Sequence, residues 1–175
     1  MLLALMIAAA PFGARGQVVP FGSLSFSHIN PGNGAPSWNN YSLEPGVFVF
    51  AMDHLALGLA ARYDYRGREI TFTGFSAIAG SAKEIGILPK AGIALNLSES
   101  LSLFPQLGVD LYHYSPTTLS GSEGTYAELE TFVPLLFSPV SHFFVGIGPY
   151  FEWTFTGAVS GQNEFGLQSI IGGWF

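Results

Sequence analysis

The sequence predicts an all-β protein, an eight-stranded antiparallel up-and-down transmembrane β-barrel. Three observations carry this reading. The first is the parity of residues 143–156, FFVGIGPYFEWTFT: the odd positions Phe143, Val145, Ile147, Pro149, Phe151, Trp153 and Phe155 are apolar. The even positions of the run include Gly146, Gly148, Glu152, Thr154 and Thr156 and make a small or polar face. Successive side chains of a strand point to opposite faces, whereas a helical period would bury Glu152 beside Trp153. The second is composition. The chain of 175 residues is 49% hydrophobic and only 10% charged, against about 25% charged in an ordinary soluble domain. Mean hydropathy is +0.38, yet the sequence lacks an apolar run of the roughly 18 or more residues that a spanning helix needs. The third is charge placement: the charges within the alternating segments all fall on one parity.

Eight segments alternate: about 18–29, 40–51, 55–66, 84–97, 101–114, 126–138, 143–156 and 165–175. Most exceed the roughly 9–11 residues that a tilted strand needs to cross a bilayer. Residues 52–54, 98–100 and 139–142 make short turns. Residues 30–39, 67–83, 115–125 and 157–164 make longer loops rich in Gly, Ser, Asn and Thr. Short turns on one rim and long loops on the other are the signature of an up-and-down membrane barrel, and an even strand number puts both termini on the short-turn rim. The stretches GVFVFAMDHLALGLAARY, GIALNLSESLSLFPQLGV and PLLFSPVSHFFVGIGPYF repeat a strand, a tight turn and a second strand. One hairpin per repeat is the simplest reading.

The charges of these segments are Glu44, Arg62, Asp64, Arg66, Glu84, Lys90, Asp110, Glu128, Glu130 and Glu152, and all are even-numbered. A cation on the lipid face near the midplane costs about 2–4 kcal/mol. The even face is therefore expected to line a polar lumen from the second strand onward. The first strand has the opposite register, with Leu24 and Phe26 outward and Ser23, Ser25 and Ser27 inward. Tyr63, Tyr65, Trp153 and Phe155 near the long loops, and Phe137, Phe143 and Phe175 near the short turns, suit two interfacial aromatic girdles. Pro45, Pro89, Pro105, Pro134 and Pro149 fall inside strands of a barrel with no free edge, so bulges or kinks are expected there.

The formal charge of −6 argues against nucleic acid as a partner. Without cysteine there is neither a disulfide nor a thiolate metal site, and the His and acidic residues have no metal-ligand spacing; no cofactor is expected. The stretch MLLALMIAAAPFGARGQ has an apolar core followed by small residues, and reads as a signal peptide over 1–16, its start truncated short of a basic stretch, with Ala14 and Gly16 as the small pair before the cut. An N-terminal strand or plug is the alternative. Residues 17–175 form the barrel domain.

The closing FGLQSIIGGWF, with its bare terminal Phe175, resembles the assembly signal of bacterial outer-membrane proteins. Gly173 stands where that signal often has a hydrophobic residue. The hairpins around DHLALGL and the opening PFGSLSFS resemble the outer-membrane β-barrel domain family of small OmpA/OmpX-type barrels. The resemblance implies a monomer in the bacterial outer membrane with periplasmic termini. It also implies contact with outer-membrane lipid and lipopolysaccharide, and insertion by the barrel assembly machinery.

Function is read more coarsely. The lumen set holds seven acids and three bases. It serves either as a narrow, porin-like, cation-preferring pore or as a filled, ion-paired interior, and eight-stranded barrels are just wide enough for side chains to fill. The filled interior is the preferred reading, with a structural or surface-interaction role through the long loops. The enzymatic alternative rests on His113-Tyr114-Ser115, which resembles the His-x-Ser of outer-membrane lipid A deacylases; there a histidine activates the serine and a carboxylate, for which Glu128 is the candidate, orients the histidine. Pro116 follows where that family has Asn, and Glu128 and Glu130 share the inward parity. His28 with Asn30 has no third partner, and His54 and His142 occupy equivalent short turns.

Overall fold

A computed structural model describes residues 12–29, 37–72, 75–116, 123–156 and 163–175. Eleven strands are formed: β1 (Val18–Ile29), β2 (Ser37–Met52), β3 (Leu55–Phe72), β4 (Phe75–Ile93), β5 (Leu95–Asn96), β6 (Leu101–Leu103), β7 (Gln106–Pro116), β8 (Gly124–Phe132), β9 (Leu135–Val140), β10 (Phe143–Thr154) and β11 (Asn163–Gly173). Three pairs, β4 with β5, β6 with β7 and β8 with β9, are halves of single staves, so the hydrogen-bonded ring has eight. It closes where β1 pairs with β11 from Phe21↔Gly172 to Ser25↔Gln168 while also pairing with β2. Closure leaves the body of the barrel without an edge, as a lipid-embedded sheet requires. Among the described residues no helix is long and apolar enough to cross a membrane; the chain crosses with strands.

The in–out alternation follows the expected parity. Leu57, Leu59, Ile85, Ile87, Leu107, Leu111, Ile147 and Leu167 form part of an exposed apolar belt, whereas Ala56, Ala60, Leu88 and Ile170 are buried. β1 keeps its own register, with Leu24 and Phe26 exposed and Ser23 buried. Among the described side chains one charge breaks the rule: Lys83 lies within β4 and faces outward. It stands near the long-loop rim, opposite Tyr65 and Ser115, where an ammonium can reach the interface.

The prolines do not produce bulges. Leu43↔Tyr63 and Gly46↔Ala60 bracket Pro45 in one unbroken register, as Ile87↔Leu111 and Lys90↔Gly108 bracket Pro89. The pairs around Pro105, Pro134 and Pro149 likewise resume without a slip. Pro45, Pro89 and Pro149 drop the ladder on one side and Pro105 and Pro134 on both, but a proline's carbonyl remains an acceptor. Ile93, Phe104 and Val133 donate to the carbonyls of Pro105, Pro134 and Pro149, each at 3.0 Å. A missing donor thus opens a gap without adding a residue. The register shifts fall elsewhere, at Phe50/Met52, Arg68/Glu69 and Phe143/Val145.

Two of those shifts accompany the short turns. His54 (φ 69°) and His142 (φ 67°) are the only non-glycine residues with positive φ among the described residues. A left-handed residue beside an extra residue is the arrangement of a hairpin closed by a bulge. Both histidines therefore serve turn geometry.

Strands run into each of the four expected long loops. Residues 67–83 are not a loop: β3 and β4 stay paired from Leu55↔Ile93 to Phe72↔Phe75. β2 reaches Ser37, opposite Glu69, and Ile29 pairs with Trp38. Strand length is set here by cross-strand pairing, which the polar composition of 67–83 does not exclude. The side chain of His28 and the whole of Asn30 lie outside the described residues.

Candidate functional site

The interior divides into two zones. The half toward the short turns is an apolar floor that includes Phe21, Phe48, Phe50, Leu88, Phe104, Phe132, Leu136, Phe144 and Trp174, all buried. Phe48 stacks on Phe21 with ring centroids 4.9 Å apart and meets Phe104 edge-on at 5.1 Å. The lumen is therefore not polar throughout, as had been expected. Apart from Phe21 on the opposite-register first strand, these floor residues are even-numbered, so the signal was present in the sequence; alternation alone does not separate an apolar lumen zone from a polar one. Glycines make room for the rings: a Cβ on Gly92 would stand 2.8 Å from the Phe104 ring.

The half toward the long loops holds the charges. Glu44, Arg62, Asp64, Glu84, Lys90, Asp110, Glu128, Glu130 and Glu152 are buried, and Arg66 is partly exposed. The barrel register places four acidic pairs directly across from one another: Asp64 and Glu84, Asp110 and Glu128, Glu130 and Glu152, Glu152 and Glu164. Like charges so placed repel, and the few cations lie where they relieve this. Arg62 Nε is 2.7 Å from Asp64 Oδ2, its Nη1 is 3.3 Å from both Asp110 Oδ2 and Glu130 Oε2, and its Nη2 is 2.7 Å from Glu152 Oε1. One guanidinium thus touches a member of each of the four pairs, using the fork of donors that a lysine lacks.

The remaining acids have other partners. Arg66 holds Glu84 at 2.9 Å. Lys90 Nζ bridges Glu44 (2.5 Å) and Glu130 (2.7 Å), and Gln168 donates to Glu44. Glu128 accepts from the hydroxyls of Tyr112 (2.9 Å) and Thr154 (2.5 Å). Nearer the mouth, Glu164 accepts from Tyr150 (2.6 Å), Ser27 (3.0 Å) and Asn40 (3.4 Å). Sequence reasoning missed these hydroxyl partners because strand alternation does not tell which inward residues share a height, and missed Glu164 because residues 157–164 read as a loop, whereas β11 begins at Asn163. Gly86 lies across from Arg62, where a Cβ would come 2.5 Å from Asp110 Oδ1.

On the outer wall, His113 and Ser115 share a face near the end of β7, as their spacing requires. The carboxylate beside His113 is Glu123, whose Oε1 is 2.8 Å from Nε2, both residues being exposed. Glu128, the candidate for orienting His113, instead turns into the lumen. Ser115 makes no hydrogen bond to His113. Among the described residues no group of His and acids could hold a metal. Phe175 is exposed at the short-turn rim, its N–H and C=O both paired with Val18 at 3.0 and 3.1 Å.

A closed ring with an apolar exterior, a charged half-lumen and an aromatic floor defines an eight-stranded transmembrane β-barrel. Among solved structures the chain is similar to the Neisserial surface protein A (NspA), with a TM-score of 0.64 at 14% identity over 93% of this chain and 99% of that one. It also matches Ail, the attachment invasion locus protein of Yersinia pestis, with a TM-score of 0.46 at 11% identity over 91% and 98%. No family model matches the chain, and no curated protein matches it. At such identities the likeness to NspA is one of fold, that of the small outer-membrane barrels, and transfers no residue's role.

Proposed function

We propose that the protein is an integral protein of the bacterial outer membrane whose work is done by its outward-projecting strands and loops, with both termini on the periplasmic rim. The observation that carries this reading is the paired hairpin of β3 and β4. On its far side β4 pairs with β7 as far as Ala82↔Pro116 among the described residues, while β3 and β4 stay paired on to Phe72↔Phe75. On the other margin β1 pairs with β11 only to Ser25↔Gln168, while β1 and β2 continue to Ile29↔Trp38. Among the described residues, β1 to β4 stay paired with one another beyond the points where their ladders to β11 and β7 stop. Strand backbone beyond its last ladder pair is a template for an extended segment of another protein.

The filled interior suits a scaffold that holds this sheet. Lipid, including lipopolysaccharide, covers the apolar belt of a barrel working as a monomer. The assembly machinery reads the exposed Phe175. The test compares cells displaying the full chain with cells displaying a chain lacking residues 68–79, at equal surface abundance, for adherence to other cells and to matrix-coated surfaces. Reduced adherence of the shortened chain supports the reading; equal adherence overturns it.

A second reading, hydrolysis of a membrane lipid at the rim, has the His113–Glu123 contact in its favour. A functioning triad also needs Ser115 within hydrogen-bond reach of the histidine. The first reading is the better supported.

A further inference from the structure

The short segment ahead of β1 is built into the barrel. Phe12 is 5% exposed, and its ring lies 5.3–5.7 Å from those of Phe50, Phe104, Phe144 and Trp174. Its carbonyl accepts from Asn96 Nδ2 at 2.9 Å. Two glycines turn the backbone back toward β1, Gly13 at φ 98° and Gly16 at φ 85°, values that a side chain would oppose.

The polar groups of the segment are tied to the same rim. The Gly13 carbonyl accepts from the His54 N–H (2.7 Å), and the Gly16 N–H donates to the Phe50 carbonyl (2.8 Å). The Arg15 N–H donates to Asp53 Oδ1 (2.9 Å), and the Gly13 N–H to the buried Gln17 Oε1 (2.9 Å). The contacts of residues 12–16 thus run to the β2–β3 turn, to β5, to the Phe104 break and to the C-terminal Trp174. A cut after Gly16 removes the ring at the centre of four others and leaves an apolar void facing the rim.

We propose that Phe12–Gly16 is a permanent cork of the mature barrel. It seals the short-turn end of the lumen, and the leader ends ahead of Phe12 rather than after Gly16. Ala8, Ala9 and Ala10 supply small residues upstream for such a cut.

Intact mass and N-terminal sequencing of the protein extracted from outer membranes of cells expressing the full chain test the first part. A chain that retains Phe12 is expected; an N-terminus at Gln17 or beyond overturns the proposal. Phe12→Ala in the full chain tests the second part. The compact, SDS-resistant form of the variant is expected to convert on heating at a temperature lower by roughly 10 °C. In planar bilayers the variant is expected to pass ions that the parent does not. A variant matching the parent in both measurements overturns the sealing role even if Phe12 is retained.

Discussion

Arg62 and Glu152 meet across the barrel, Nη2 of one lying 2.7 Å from Oε1 of the other, although β3 and β10 stand on opposite sides of the eight-stave ring. A single side-chain pair therefore spans the lumen at this height. The pair sits where Glu130 and Glu152 face each other, so the arginine neutralises a repulsion that backbone pairing imposes.

Removing that arginine leaves Asp64, Asp110, Glu130 and Glu152 without their shared partner. Arg62→Met is expected to lose about 3–5 kcal/mol of stability, the scale of breaking a buried ion pair. Glu152→Gln keeps a hydrogen-bonding group and relieves two acid pairs, so its loss is expected to be smaller, about 1–3 kcal/mol. Urea unfolding of the refolded protein in detergent gives both values. Equal losses would show that Arg62 is not the hub of the network.

The outer wall makes the complementary demand. Leu59 is 53% exposed in the apolar belt, and Leu59→Arg is expected to cost about 2–4 kcal/mol in lipid vesicles. Lys83 also faces outward but near the rim, and Lys83→Ala is expected to stay within about 0.5 kcal/mol. Reversible unfolding into and out of vesicles reads the difference. A tolerated Arg at position 59 would contradict a lipid-facing wall.

The aromatic floor is expected to resist change in both directions. Phe104→Ala empties the space among Phe12, Phe48 and Phe50 and is expected to cost about 3–5 kcal/mol. Gly92→Ala drives a methyl group against the same ring and is expected to cost about 1–3 kcal/mol. Heat conversion of the SDS-resistant form ranks the two. A neutral Gly92→Ala would mean that the floor is loosely packed.

Ser115→Ala tests the rim chemistry. Since Ser115 is not hydrogen-bonded to His113, the lipid A of cells carrying the variant is expected to match that of cells carrying the parent by mass spectrometry. An acyl chain removed by the parent and retained with the variant would establish the hydrolase.

The strands, their inward and outward faces, and the opposite register of β1 were legible along the chain, because alternation is a property of each strand by itself: Leu24 and Phe26 declare the outside of β1 as plainly as Leu57 and Leu59 declare that of β3. Glu152 could be assigned to the interior for the same reason. Its partner could not. Which inward residues meet depends on the stagger with which eight staves close, and that stagger is a sum of pairings between strands distant in sequence. The same closure separates the floor of Phe48 and Phe104 from the charged zone, joins His113 to Glu123 rather than Glu128, and leaves β3 and β4 paired through residues that read as loop. It also lets each proline surrender a hydrogen bond without shifting the register: Pro45, Pro89 and Pro149 stay paired on their other side, and beyond Pro105 and Pro134 the ladders resume in register. Sequence alone determined a barrel with apolar outside and charges within; only the closed tertiary structure decided how those charges are shared, because Coulomb contacts and packing act across the lumen rather than along the chain.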